Sequence, residues 1–183
     1  MSLTRNLARK CLFTKFNIRW GYHNVHIRDG DQWKAAFKMP LGLFEPMVML
    51  FGQCNAPATF QQVMDRILQP LKLKYPYMIF VYMDNILIAT LNDPTLHHQI
   101  IHDVLNLLER ESFFLNPQRC AFEQMWVEYL GLLLDGKTLH IDPSKITGIA
   151  KWPRVLKSVK EVCSTLGILG YHCAFIPGFT NIA

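Results

Sequence analysis

Residues 77–89 read Tyr77-Met78-Ile79-Phe80-Val81-Tyr82-Met83-Asp84-Asn85-Ile86-Leu87-Ile88-Ala89. Two apolar runs, rich in aromatic and β-branched residues, flank an Asp84-Asn85 break. The pattern predicts a β-hairpin, two strands turned around a polar pair that tolerates tight geometry. That pair stands at a tip, where side chains meet solvent or a ligand rather than a core. An Asp-Asn dipeptide is by itself an ordinary turn, so a site at this tip requires other residues to converge on it.

Upstream of the hairpin, Cys11 to Ile18 reads as a strand followed by a bend at Gly21-Tyr22. Strand-like stretches follow at Trp33–Lys38 and Leu43–Phe51. A helix opens at Asn55 as N-cap, with Pro57 in its first turn and no further proline until Pro70. Phe60, Val63, Met64, Ile67 and Leu68 make its apolar stripe. Beyond the hairpin, Asp93 caps a second helix from Pro94 to Arg110. A strand pair, Val127–Leu134 and Thr138–Ile141, turns at Asp135-Gly136. Asp142-Pro143 starts a helix that Trp152-Pro153 stops, and Ser158-x-x-Glu161 is a capping box for another. The order predicts an α+β fold: residues 1–141 form a mixed lobe around an antiparallel sheet, and 142–183 form a small helical lobe. Pattern alone fits many α+β folds.

Composition bounds the function. Half of the 183 residues are apolar, enough to bury a core, and the net charge of +5 is compatible with a polyanionic partner. The five cysteines, at 11, 54, 120, 163 and 173, include no CxxC pair, which favours a reducing compartment over a disulfide framework or zinc site. The histidines, including His97, His98 and His102, form no ligand pattern with a third partner. The first residues lack an apolar leader, and the longest apolar run, Met78 to Met83, is too short to span a bilayer. The expectation is an intracellular protein, cytoplasmic or nuclear, with no membrane partner.

Four segments, in order, resemble the reverse transcriptases of Ty3/gypsy-type retrotransposons: Phe13–Tyr22 (FTKFNIRWGY), Phe51–Gln61 (FGQCNAPATFQ), Tyr82–Asn85 (YMDN) and Glu128–Gly131 (EYLG). In that family they are similar to the first carboxylate motif, the template and nucleotide motif, the YxDD hairpin and the primer grip. Leu115–Cys120 and Phe175–Phe179 are also similar to family stretches. The resemblance implies RNA-directed DNA polymerisation on a palm of antiparallel sheet and helices (1–141, with a remnant of fingers) followed by a helical thumb (142–183). It also implies an RNA or DNA template with primer and a deoxynucleoside triphosphate as partners, and two Mg2+ ions held by three aspartates.

Two of those three positions depart from the pattern. Asn17 stands where the first motif has aspartate, and Asn85 follows Asp84 where the hairpin has a second one. Asp84 alone remains as a metal-binding carboxylate. An amide offers a cation one neutral oxygen, whereas magnesium prefers charged oxygen ligands. Each ~1.4 kcal/mol lost from transition-state stabilisation is a factor of ten in rate, so the reading expects polymerisation to be severely impaired. Only sixteen residues precede Asn17, where the family carries fingers that grip the triphosphate, so a weakened nucleotide pocket is expected too.

The resemblance assigns further roles. Tyr22 matches the bulky residue beneath the incoming sugar, and Phe51 and Gly52 open the nucleotide motif. Gln61 contacts the template or is a surface residue of its helix. Tyr129, Leu130 and Gly131 position the primer or merely end a strand. Lys145, Lys151 and Arg154 make the last lobe basic, either to hold duplex phosphates or as a solvated face. Three readings remain in competition: an impaired polymerase domain, a non-catalytic nucleic-acid-binding module or partner of another polymerase subunit, and a decaying element fragment with no function of its own.

Overall fold

Strand β1 (Leu12–Asn17) lies at the centre of a four-stranded antiparallel sheet of order β4-β5-β1-β6. The others are β4 (Ile79–Tyr82), β5 (Asn85–Thr90) and β6 (Ala121–Gln124). Before them, β2 (Phe37–Met39) and β3 (Gly42–Phe44) form a separate two-stranded ribbon. The computed structural model describes Leu7, residues 10–136, 139–141, 157–171, Cys173 and residues 178–179.

Strand parity sorts the sheet into two faces. Phe16, Ile79, Ile86 and Ile88 belong to the main core, which helix α1 (Ala56–Lys74) and helix α2 (Pro94–Arg110) cover. α1 contributes Phe60, Met64 and Leu68, and α2 contributes Ile100, Val104 and Leu108, all buried. Phe13, Leu87 and Ala89 point to the opposite face. There they meet Val127, Tyr129 and Leu134 from a three-stranded sheet of β7 (Val127–Tyr129), β8 (Leu132–Leu134) and β9 (Leu139–Ile141). By the same parity Asn17 and Asn85, directly paired across β1 and β5, fall on the face away from the helices.

Both helices and the central hairpin stand where periodicity predicts them, and Asp93 caps α2 by accepting the Leu96 N–H at 3.1 Å. Several local expectations are corrected. The hairpin turns at Met83-Asp84, because Asn85 already pairs with Tyr82 as the first residue of β5. α1 runs through Pro70, which sits on its solvent face while Leu68 and Leu71 continue the apolar stripe beneath. Asn55 makes no side-chain cap, since its backbone is already helical at φ −91°. Trp33 lies in a 3-10 turn (Gln32–Ala35), and the expected strand at 43–51 stops at Phe44. Residues 127–134 are two strands, broken at Leu130 and Gly131, whose φ values of +53° and +72° suit a type I′ turn.

A third helix, α3 (Val159–Tyr171), begins after Ser158, whose Oγ accepts the Glu161 N–H at 3.2 Å. The Glu161 carboxylate reaches back one residue beyond the cap, accepting the Lys157 N–H at 2.7 Å. The helix expected from Asp142 to Trp152 lies outside the described residues.

Candidate functional site

The β4–β5 turn is held from two sides. Gln61, on α1, accepts the Met83 N–H at 2.7 Å through Oε1 and donates through Nε2 to Val81 O at 3.4 Å and Asp65 Oδ2 at 3.0 Å. On the other side the Ile18 N–H donates to the Asp84 carbonyl at 2.8 Å. Met83 takes φ +54° at the first turn position, a conformation costing a non-glycine residue roughly 1 kcal/mol or more. Strand pairing and the Gln61 clamp impose it. The Gln61 amide is thus spent on the hairpin it underlies.

This framework brings Asn17, Asp84 and Asn85 into one hydrogen-bonded cluster. Asn17 Nδ2 donates to Asp84 Oδ2 at 2.8 Å and to Asn85 Oδ1 at 3.3 Å. Asn85 Nδ2 donates to Asp84 Oδ1 at 2.9 Å. Each oxygen of the carboxylate therefore accepts an amide N–H. Amide N–H dipoles stabilise the lone charge, where three carboxylates in the same positions would repel one another and call for cations.

Magnesium requires near-octahedral, anionic oxygen ligation. The donor set here is one carboxylate, both of whose oxygens are already engaged, and two amides with their N–H groups turned toward it. Among the described residues no group of three or more His, Cys, Asp or Glu side chains could hold a metal. The cluster does not fit a pair of magnesium ions.

Beside it opens a cavity of about 750 Å³ lined by Asn17 and Asp84 together with Arg19, Tyr22, Phe51 and Arg119. Tyr22 packs against Phe51 at 4.8 Å and edge-on to Phe60 at 5.3 Å between ring centroids. Phe51 is 72% exposed despite this contact, so its ring forms an open wall. Gly21 lies beneath, close enough to Phe60 that a Cβ would stand 2.6 Å from its ring. On the other side of the cluster, Lys15, Arg119 and Gln118 line a second cavity of about 420 Å³ that also reaches Asn17, Asp84 and Asn85.

The remaining predicted residues are placed apart from this cavity. Gly52, at φ +95°, is exposed and does not line it. Tyr129 is buried in the second core, and with Leu130 it borders a cavity of about 620 Å³ shared with Tyr77 and Tyr82. Gly131 completes their turn. Lys145, Lys151 and Arg154 lie outside the described residues.

Lys15, Arg19 and Arg119, to which no motif assigns a role, also line the two cavities. Arg119 is 102 positions from Asn17, and no spacing rule connects them. They meet because residues 114–116 pair with the chain leaving β1: Arg19 N–H donates to Phe114 O, and Asn116 N–H to Asn17 O, each at 2.8 Å.

A family model described as reverse transcriptase (RNA-dependent DNA polymerase) matches residues 1–134. The chain is 34% identical over 175 residues to the transposon Tf2-7 polyprotein of Schizosaccharomyces pombe, and 33% identical over the same length to the Tf2-3 polyprotein. Each alignment covers 96% of this chain, which spans only 13% of the length of those polyproteins. In fold it is similar to the foamy viral protease-reverse transcriptase. The form in complex with ds DNA superposes with a TM-score of 0.85 at 22% identity, over 98% of this chain and 31% of that one. The form in complex with RNA/DNA hybrid gives 0.76 at 22% identity, over 92% and 22%.

Proposed function

This chain belongs to the reverse transcriptase (RNA-dependent DNA polymerase) family, and we propose that it is a domain of a Ty3/gypsy-type retrotransposon reverse transcriptase whose nucleotidyl-transfer centre is inert. The observation that carries the reading is the cluster itself. Asp84 stands at the tip of the hairpin between Asn17 and Asn85, with both carboxylate oxygens taken by their amides. Extending a primer requires charge to be stabilised on attacking and leaving oxygens. A cluster with one carboxylate, both of whose oxygens accept amide N–H groups, lacks the anionic ligands that would hold cations for that task.

The surroundings support retained binding. The foamy viral relatives of similar fold hold RNA/DNA hybrid and ds DNA, and the proposed partner here is a primer–template of the same chemistry. In this reading residues 1–141 form the palm and remnant fingers, and 142–183 the thumb, whose Lys145, Lys151 and Arg154 take backbone phosphates. Tyr22, Phe51 and Gly52 receive a deoxynucleoside triphosphate, and Tyr129, Leu130 and Gly131 position the primer end. The amide cluster equally supports a second reading, a module that holds primer–template, alone or beside another polymerase subunit, without extending it.

Primer extension on an RNA template decides the matter, with the parent chain and an Asn17→Asp/Asn85→Asp double variant compared in magnesium. Extension by the double variant alone identifies the missing carboxylates as the lesion. Extension by the parent well above background overturns the proposal of an inert centre. Salt-dependent primer–template binding by the parent, without extension by either chain, favours the binding module.

A further inference from the structure

The exchange of aspartate for asparagine does more than remove ligands: it shifts the two cavities that meet at Asp84 from charge balance to a cationic excess. Lys15, Arg19 and Arg119 line them, and among the described residues Asp84 is the sole acidic one in the linings. Aspartates at 17 and 85 would set three carboxylates against those three cations and leave the region neutral. With Asn17 and Asn85 it carries an excess of cations. Among the described residues none of the three cations is in a salt bridge. Lys15 donates only to a neutral carbonyl, Glu128 O, at 2.9 Å, and the Arg19 guanidinium lies over the Trp20 ring, 4.1 Å from its centroid. That stacking leaves the guanidinium edge, with its N–H donors, free to meet a phosphate.

A triphosphate entering a carboxylate-lined centre needs divalent cations to screen it from the wall. In this wall the screening is built in. Both oxygens of Asp84 are already hydrogen-bonded by amide N–H groups at 2.8 and 2.9 Å, and guanidinium groups supply the positive charge that metal ions would bring.

We propose that the cavity between Tyr22, Phe51 and Arg119 binds a nucleoside triphosphate without any divalent metal, its phosphates held by Arg119 and Arg19. The inference rests on the reading of this cavity as the nucleotide site and adds that binding there has been uncoupled from metal. A chain of this kind sequesters nucleotide with no reaction to follow.

The test uses the full chain and a fluorescent mant-labelled deoxynucleoside triphosphate, titrated in EDTA and then in excess magnesium, with circular dichroism as the check of folding. The parent is expected to bind in EDTA, with Kd changing less than about threefold on adding magnesium. Arg119→Ala weakens binding in EDTA by roughly tenfold, the equivalent of about 1.4 kcal/mol. Asn17→Asp/Asn85→Asp loses roughly tenfold or more in EDTA and recovers in magnesium. Inorganic tripolyphosphate is expected to compete, and its failure to do so overturns the assignment of the phosphates to Arg119 and Arg19. Binding by the parent in magnesium alone overturns metal independence and leaves the nucleotide site standing. Absence of binding by both folded chains in both buffers removes the nucleotide site as well.

Discussion

Asn17 Nδ2 donates to Asp84 Oδ2 at 2.8 Å across the end of the sheet where Asn17 and Asn85 are register partners. Asn17 is nearly buried, at 6% exposure, so this bond is poorly replaced by water. Asn17→Asp exchanges a donor for a second anion against the same oxygen. In EDTA at pH 7 the variant is expected to lose about 1–3 kcal/mol of stability in urea unfolding. Lowering the pH recovers part of the loss, because one proton then sits between the two carboxyl groups. Magnesium recovers part as well, because two carboxylates begin to offer it a site. An unchanged unfolding midpoint in EDTA would mean that the amide bond contributes nothing.

Gln61 governs the shape of the tip. Its Oε1 accepts the N–H of Met83, the residue forced to positive φ. Gln61→Ala leaves a part-buried backbone donor without its partner and is expected to cost about 1–2 kcal/mol. The larger consequence is local: amide exchange at Met83 and Asp84 should accelerate relative to exchange in the centre of β5. Uniform exchange across the hairpin in both chains would show that strand pairing alone sets the turn.

Gly21 tests the floor of the cavity. A Cβ there meets Phe60 Cζ at 2.6 Å, and Phe60 is 1% exposed, wedged against Tyr22 and the core, so it has nowhere to go. Gly21→Ala is expected to destabilise by about 1–3 kcal/mol through overpacking. Adding Phe60→Leu frees space, so the double variant should cost less than the sum of the single ones. Strict additivity in thermal unfolding would place the strain elsewhere.

What could be read in the residues, and what could not, follows from the range of the forces involved. The hairpin, α1 and α2 are legible because their apolar periods run over many residues, and the Ty3/gypsy kinship is carried by four ordered motifs. The turn register was displaced by one residue because Asp and Asn are the better turn formers in isolation. Met83 takes the strained position under strand pairing and the clamp from Gln61, twenty-two residues away. β6 is not legible in the sequence because Ala121–Gln124 shows no alternation; its pairing with β1 is what makes it a strand. Asn17 and Asn85 could be named from motifs alone, whereas their amides' orientation toward Asp84 depends on cross-strand register. The convergence of Lys15, Arg19 and Arg119 is tertiary throughout.

His97 yields a prediction about pH. It is fully buried on α2, its Nε2 2.8 Å from Thr14 Oγ1 of β1 and its Nδ1 2.8 Å from Thr90 Oγ1 of β5. The ring thereby ties the helix to two central strands. Burial holds its pKa below the ordinary histidine value of 6.5; His98 reinforces that direction and Glu123, itself paired with His98 at 2.8 Å, opposes it. The folded chain therefore keeps His97 neutral where the unfolded chain takes up a proton. The contribution of this ring to stability is complete above about pH 6.5 and is lost as pH falls from there through the depressed folded value. In that window a single proton gives a slope of at most about 1.4 kcal/mol per pH unit. Urea unfolding of the parent and of His97→Gln between pH 5 and 8 isolates it. The variant should be less stable at pH 8 and should lose less on acidification, so that the two curves converge toward pH 5. Parallel curves over the whole range would assign the acid sensitivity to other groups.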